Sequence, residues 1–183
     1  MGIPRKNKRS QHNQSVDACE SDSRIQNFIK KDPLDGIIIS DEYRTVESLL
    51  KIGCPVVFVT GNAGTGKTTL IHYLKNILDK NIVVLAPTGV AALNAGGMTI
   101  HSFFHLPPKI HEDEDIKLAH NKKLFRKLDL LMIDEVSMVR CDLLDSIDKF
   151  LRKNRSSTKP FGGVQLLLVG DLFQLPPVVP DHE

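Results

Sequence analysis

Val56-Val57-Phe58-Val59-Thr60-Gly61-Asn62-Ala63-Gly64-Thr65-Gly66-Lys67-Thr68-Thr69-Leu70 is the stretch that decides the fold. An apolar, β-branched run stops at Gly61, Gly-Lys-Thr follows, and a helical pattern begins at Lys67. Strand, loop and helix in this order form a phosphate-binding loop, and the residues match G-x-x-x-x-G-K-[ST] without a gap. Gly61, Gly64 and Gly66 let the backbone take positive φ and approach a ligand closely. The N–H groups along Asn62, Ala63 and Thr65 can then line a concave anion nest. The helix adds the unpaired N–H groups of its first turn, Lys67 to Thr69, and its positive dipole end. Lys67 can reach the β- and γ-phosphates, and the Thr68 hydroxyl can ligate Mg²⁺. A chance glycine-rich turn would lack the flanking strand and helix. The motif implies a bound nucleoside triphosphate and is silent on what its energy drives.

Three more apolar runs follow: Ile82 to Ala86, Asp129 to Ile133 and Val164 to Val169. Each reads as a buried strand. Helical patterns separate them. Before the first strand, Ser40 is placed to cap a helix whose stripe is Tyr43, Val46, Leu49 and Leu50 and which Gly53 stops. The loop helix runs to about Leu78, with Leu70, Ile71, Leu74, Ile77 and Leu78 on one face. Val90 to Leu93 reads as a helical turn broken by Gly96-Gly97. Thr99 to Phe104 and Lys122 to Lys127 read as short helices. Cys141 to Arg152 is amphipathic, with Leu143, Leu144, Ile147, Phe150 and Leu151 inward. Four short strands alternating with helices predict an α/β fold with a parallel sheet covered on both faces. In such sheets ligands bind at the carboxyl ends of the strands. Lys67, Thr88, Asp134, Glu135 and Gln174 all fall just after a strand.

Leu130-Leu131-Met132-Ile133-Asp134-Glu135 has the form of a Walker B element. The strand delivers Asp134 to a Mg²⁺ shell, and Mg²⁺ takes only one or two carboxylates beside its waters. Glu135 points elsewhere and can orient or deprotonate an attacking water. The second acid favours hydrolysis over phosphoryl transfer to a small molecule. Asp-Glu alone could equally cap the next helix.

Bulk properties fit one soluble domain with tails: 183 residues, 41% hydrophobic, formal net charge +2. A charge this small requires any nucleic-acid site to be local. Cys19, Cys54 and Cys141 form no C-x-x-C pair, which argues against a zinc site or disulfide framework and fits a reducing compartment. No run approaches the ~20 apolar residues of a membrane span. Residues 1–24 read as a disordered polar tail, and its Arg5-Lys6-Asn7-Lys8-Arg9 run reads first as a solvated segment, with contact to phosphate backbones or a nuclear signal as alternatives. Residues 25–183 read as the globular lobe. Within it, residues 25–35 suggest a short helix, Glu112 to Asp115 beside His111 a solvated loop, and Leu175 to Pro180 a non-helical tail.

Four blocks together resemble the Pif/RecD-like helicases of superfamily one. They are Gly61 to Thr69; Ala86-Pro87-Thr88-Gly89-Val90-Ala91-Ala92 with Gly97-Met98-Thr99-Ile100-His101-Ser102-Phe103-Phe104; Ile133-Asp134-Glu135-Val136-Ser137-Met138; and Gly170-Asp171-Leu172-Phe173-Gln174-Leu175-Pro176-Pro177-Val178. They look like that family's motifs I, Ia with its extension, II and III, in order. The resemblance implies the first RecA-like motor lobe of a P-loop ATPase, with the strand before Gly170 lying between the P-loop strand and the Asp134 strand. It implies ATP and Mg²⁺ as cofactors and single-stranded DNA as partner, with translocation five-prime to three-prime. Lys67, Glu135 and Gln174 would be catalytic, Gln174 facing the γ-phosphate. Thr68 and Asp134 would hold the metal. Thr88, Gly89, His101, Ser102 and Phe103 would lie along the DNA track, while Phe104 reads as core. The expected location is the cytoplasm if the source is bacterial, with the nucleus possible if it is eukaryotic. Two departures stand out. No glutamine occurs near Arg44, where many relatives carry one that reads adenine. The sequence ends just after motif III, so a second RecA-like lobe and its arginines are expected to lie outside it. The competing reading is a non-motor nucleotide-binding module acting through a protein partner.

Overall fold

The computed structural model describes residues 39–107 and 116–177. The expectations for the N-terminal tail, the helix at 25–35, the acidic run at 112–115 and the end of the proline tail lie outside these residues. The chain divides between Asp35 and Gly36, and the second part carries everything below.

Helix α1 spans Asp41–Lys51, with Ser40 at its N-cap. Strand β1 (Val56–Thr60) leads through the glycine loop into α2 (Lys67–Ile77). Strand β2 (Ile82–Ala86) is followed by α3 (Gly89–Asn94), β3 (Met98–Thr99) and α4 (Ile100–Phe104). Then come α5 (Lys122–Lys127), β4 (Leu130–Ile133), a 3₁₀ turn at Val136–Met138, α6 (Cys141–Arg155) and β5 (Gln165–Gly170).

The five strands form one parallel sheet in the order β1-β5-β4-β2-β3. β5 therefore lies between β1 and β4, as the resemblance implied. Its register pairs Thr60 with Gly170, so the glycine loop and the turn after β5 leave the sheet side by side.

The fifth strand, β3, replaces the start of the helix expected from Thr99. Two residues are too few to show an alternation in sequence. Gly97 makes the pairing possible: a Cβ there would lie 2.2 Å from the Val84 carbonyl oxygen. Thr99 then ends the strand and caps α4, its hydroxyl accepting the Ser102 N–H at 3.3 Å.

On one face of the sheet, Leu85, Leu131, Ile133 and Leu166 pack with Ile100 and Phe104 of α4, Phe125 of α5, and Ile147, Phe150 and Leu151 of α6. Leu130 and Met132 alternate with these to the other face and are equally buried. The buried residues of α1 and α2, Leu50, Leu70, Ile71 and Leu74, supply the cover there. Helices cover both faces of the sheet, and on the α4–α6 face that cover thins at the edge strand β1. Val56 and Phe58 are 48% and 44% exposed, because among the described residues the α4–α6 layer stops at β5. Both pair with β5 residues of the covered face, Leu166 and Leu168.

One buried amide ties α1 and the entrance of β1 to β5. Gln165 donates to the Leu50 and Cys54 carbonyls at 3.2 and 2.6 Å. Its oxygen accepts Lys80 Nζ at 2.6 Å, and Lys80 also reaches the Leu50 carbonyl. Gln165→Leu keeps the bulk and strands the Cys54 carbonyl and part of the Lys80 ammonium. We expect it to destabilise the chain by about 1–3 kcal/mol, read from the urea midpoint.

Candidate active site

The glycine loop takes left-handed backbone at Gly64 (φ 79°) and Gly66 (φ 86°), which only glycine adopts without strain. Lys67 folds back over the loop and donates to the Gly61 and Asn62 carbonyls at 2.7 and 2.9 Å. The ammonium thus sits over the mouth of the loop, held by two carbonyls. From the opposite side, Tyr43 of α1 donates its hydroxyl to the Gly66 carbonyl at 2.6 Å.

Thr68 is the second residue of α2, and its hydroxyl donates to Asp134 Oδ2 at 3.2 Å. Asp134 stands at the end of β4 and is only 2% exposed. Burial pushes its carboxyl above the usual range, opposed by the Glu135 N–H, the Thr68 hydroxyl and Lys67. The next residue turns sharply: Glu135 is left-handed (φ 51°, ψ 43°). For a non-glycine residue this conformation costs on the order of 1 kcal/mol. It separates two adjacent carboxylates into different directions. Burial, and then the Asp134 charge, also raise the Glu135 pKa, opposed by Lys67.

After β5, the buried Asp171 organises a tight turn. Its carboxylate accepts the Phe173 N–H at 3.0 Å and the Gln174 side-chain amide at 3.1 Å. Its carbonyl accepts the Gln174 N–H. Sequence reasoning gives Asp171 no role, although a carboxylate at the end of an apolar strand, as at Asp134, is the signal that could have found it.

Thr68, Thr88, Asp134, Glu135 and Gln174, with Val90, Asn94 and Leu175, line one cleft of about 270 Å³. It lies at the carboxyl ends of the strands. Gly61, Asn62, Ala63, Gly64 and Thr65 continue from it as the loop, and Thr69 follows in the first turn of α2. Among the described residues no cluster of three His, Cys, Asp or Glu could hold a metal. One hydroxyl and one carboxylate suit instead a hard cation that keeps most of its waters and binds phosphate oxygens, so the residues present fit Mg²⁺.

The five residues suggested for a nucleic-acid track lie on one connected stretch. Thr88 caps α3, its oxygen accepting the Ala91 N–H at 3.2 Å, which leaves the hydroxyl proton free to donate. Gly89 opens that helix and is exposed. Ser102 is exposed on α4 and accepts the Thr99 hydroxyl at 2.8 Å, while His101 is half-buried beside it. Phe103 is half-buried, with its ring 5.0 Å from Phe104 and 5.4 Å from Phe125. Phe104 is core, 1% exposed.

The profile of the PIF1-like helicase family matches residues 40–183. ATP-dependent DNA helicase PIF1 of Candida albicans is 37% identical over 187 residues, covering 97% of this chain and 20% of its own length. A crystal structure of Bacteroides sp Pif1 in complex with ADP-AlF4 superposes with a TM-score of 0.75 at 47% identity, covering 80% of this chain and 35% of the other. Bacteroides Pif1 bound to ssDNA gives 0.73 at 48% identity, covering 79% and 34%. The chain thus spans about a fifth of the curated relative and about a third of the solved chains. Match, fold and motif order agree: this chain belongs to the PIF1-like helicase family.

Proposed function

We propose that the chain is the ATP-binding lobe of a DNA helicase, coupling ATP binding and hydrolysis to five-prime to three-prime movement on single-stranded DNA. The observation that carries this is the shared cleft. Thr68, Asp134, Glu135 and Gln174 converge there with Thr88, the first residue of the suggested DNA track. Solved relatives in complex with ADP-AlF4 and bound to ssDNA support it.

The loop N–H groups and Lys67 hold the triphosphate, whose oxygens replace the Gly61 and Asn62 carbonyls as partners of the ammonium. Thr68 and Asp134 hold Mg²⁺, which supplies charge neutralisation at the phosphates. Glu135 orients a water and accepts its proton as the new P–O bond forms and the bond to ADP breaks. Gln174 donates to the γ-phosphate with the amide that Asp171 now holds. Occupancy of the cleft therefore bears on the β5 turn and on Thr88 together. On the track, uncharged donors at Thr88, Gly89 and Ser102 hold phosphates without reading sequence. His101 lies beside them, and the exposed part of the Phe103 ring meets a base. A second RecA-like lobe completes the site with cations worth orders of magnitude in rate.

The test is fluorescent ATP-analogue binding to this chain with Mg²⁺, together with hydrogen exchange in the presence of oligothymidylate. Lys67→Ala should weaken nucleotide binding roughly 10- to 100-fold, the loss of charge-assisted bonds to phosphate. Oligothymidylate should slow exchange at residues 88–103. Protection of that stretch by a protein partner and not by DNA would favour the non-motor module.

A further inference from the structure

Tyr43 belongs to none of the four blocks, yet its hydroxyl bonds to Gly66 of the phosphate loop. Gly66 caps α2 in left-handed backbone (φ 86°, ψ 15°). Its carbonyl takes two donors, the Leu70 N–H of the helix at 2.9 Å and the Tyr43 hydroxyl at 2.6 Å. Across a planar trans peptide, the N–H of Lys67 points opposite to that carbonyl. The Leu70 and Tyr43 bonds together hold the carbonyl along α2, and so hold the Lys67 N–H back toward the loop, the side where an anion binds. The Tyr43 hydroxyl also fills the space beside Gly66: a Cβ there would lie 2.6 Å from it.

Tyr43 is itself braced. Its ring lies 5.8 Å from that of Tyr73 on α2. Tyr73 donates to Glu47 of α1 at 2.8 Å, and Glu47 takes Lys51 at 2.6 Å. Two tyrosines thus cross between the same two helices, and their hydroxyls do different things. Tyr73 joins helix to helix. Tyr43 joins helix to loop.

We propose that Tyr43 is a positioning residue for nucleotide binding, its hydroxyl holding the Gly66–Lys67 peptide with the Lys67 N–H directed at the phosphates. This deepens the nucleotide-site reading and rests on it. The phenol is suited to the task, because it donates at any working pH and its ring restricts where the hydroxyl can go. The O–H adds to the orientation that the Leu70 helix bond begins; the ring supplies the packing.

The test is titration of this chain with a fluorescent ATP analogue and Mg²⁺, for the unmodified protein, Tyr43→Phe, Tyr73→Phe and Lys67→Ala, with thermal melts recorded without nucleotide. Tyr43→Phe keeps the ring and should weaken nucleotide affinity about 5- to 10-fold, the loss of one well-aligned bond. Its melting temperature should match that of Tyr73→Phe, which should bind nucleotide like the unmodified chain. Unchanged affinity in Tyr43→Phe overturns the proposal while leaving the nucleotide site intact. Equal weakening in both tyrosine variants, tracking equal losses of melting temperature, overturns it in favour of simple helix packing. If the unmodified chain binds no better than Lys67→Ala, the nucleotide-site reading itself falls, and Tyr43's role with it.

Discussion

Glu135→Gln, made in a chain long enough to include the second lobe proposed above, should lower kcat for ATP hydrolysis by about 10²- to 10⁴-fold, the usual worth of a positioned general base. Nucleotide affinity should stay within about twofold, because a glutamine is nearly isosteric and Glu135 is given no part in holding phosphate. The left-handed turn at Glu135 is the physical basis. Had residue 135 continued the strand, its side chain would have pointed to the opposite face from Asp134, out of the cleft. The turn instead brings both carboxylates to the cleft while separating their directions. Steady-state turnover and equilibrium binding, measured on the same variant, check this. Lost affinity with lost turnover would move Glu135 into the binding set with Lys67; retained turnover would place water activation elsewhere.

Asp134→Asn should stop turnover and, without nucleotide or Mg²⁺, make the protein more stable. A carboxylate 2% exposed is costly to keep charged, and burial raises its pKa. A folded-state pKa above the unfolded value favours the folded state at low pH, and that contribution is lost as pH rises through the folded value. At neutral pH in chelator, Asp134 therefore opposes folding, and asparagine removes the charge: its oxygen can still accept the Glu135 N–H, while its amide nitrogen donates to the Thr68 oxygen, whose hydroxyl proton turns away. A rise in Tm of roughly 2–4 °C is what about 1 kcal/mol produces in a domain of this size. The gain should shrink as pH falls toward the raised pKa and should vanish or reverse with saturating Mg²⁺ and nucleotide. A Tm that drops at neutral pH in chelator would show that the carboxylate makes up its desolvation cost within the protein.

Much of this was legible in sequence, for identifiable reasons. Val56–Thr60 and Leu130–Ile133 are short apolar runs ended by a glycine loop or a carboxylate, so local composition locates both the strand and the residue it presents. The place of β5 between β1 and β4 came only from the motif resemblance, since pairing partners some 110 residues apart in sequence leave no local trace. β3 was missed because two residues hold no period. The partial exposure of Val56 and Phe58 was missed because both read as core in any pattern, and nothing local reports where a helical layer ends. At the site, Lys67, Thr68 and Asp134 were readable because each belongs to a contiguous motif. Tyr43 was assigned to the apolar stripe of α1, which describes its ring; the reach of its hydroxyl to a residue 23 positions away is a tertiary fact.

The sheet order also bears on biosynthesis. Among the described residues β1 is an edge strand whose one sheet partner is β5, the last of the described strands in chain order. A ribosome that has produced β1, the glycine loop and α2 still lacks the strand on which β1 docks. A chain emerging N-terminal end first must hold its apolar Val56–Thr60 run unpaired until residue 170 clears the exit tunnel. The nucleotide site is thus completed only once β5 has been made, too late for ATP to template the folding of the strands before it.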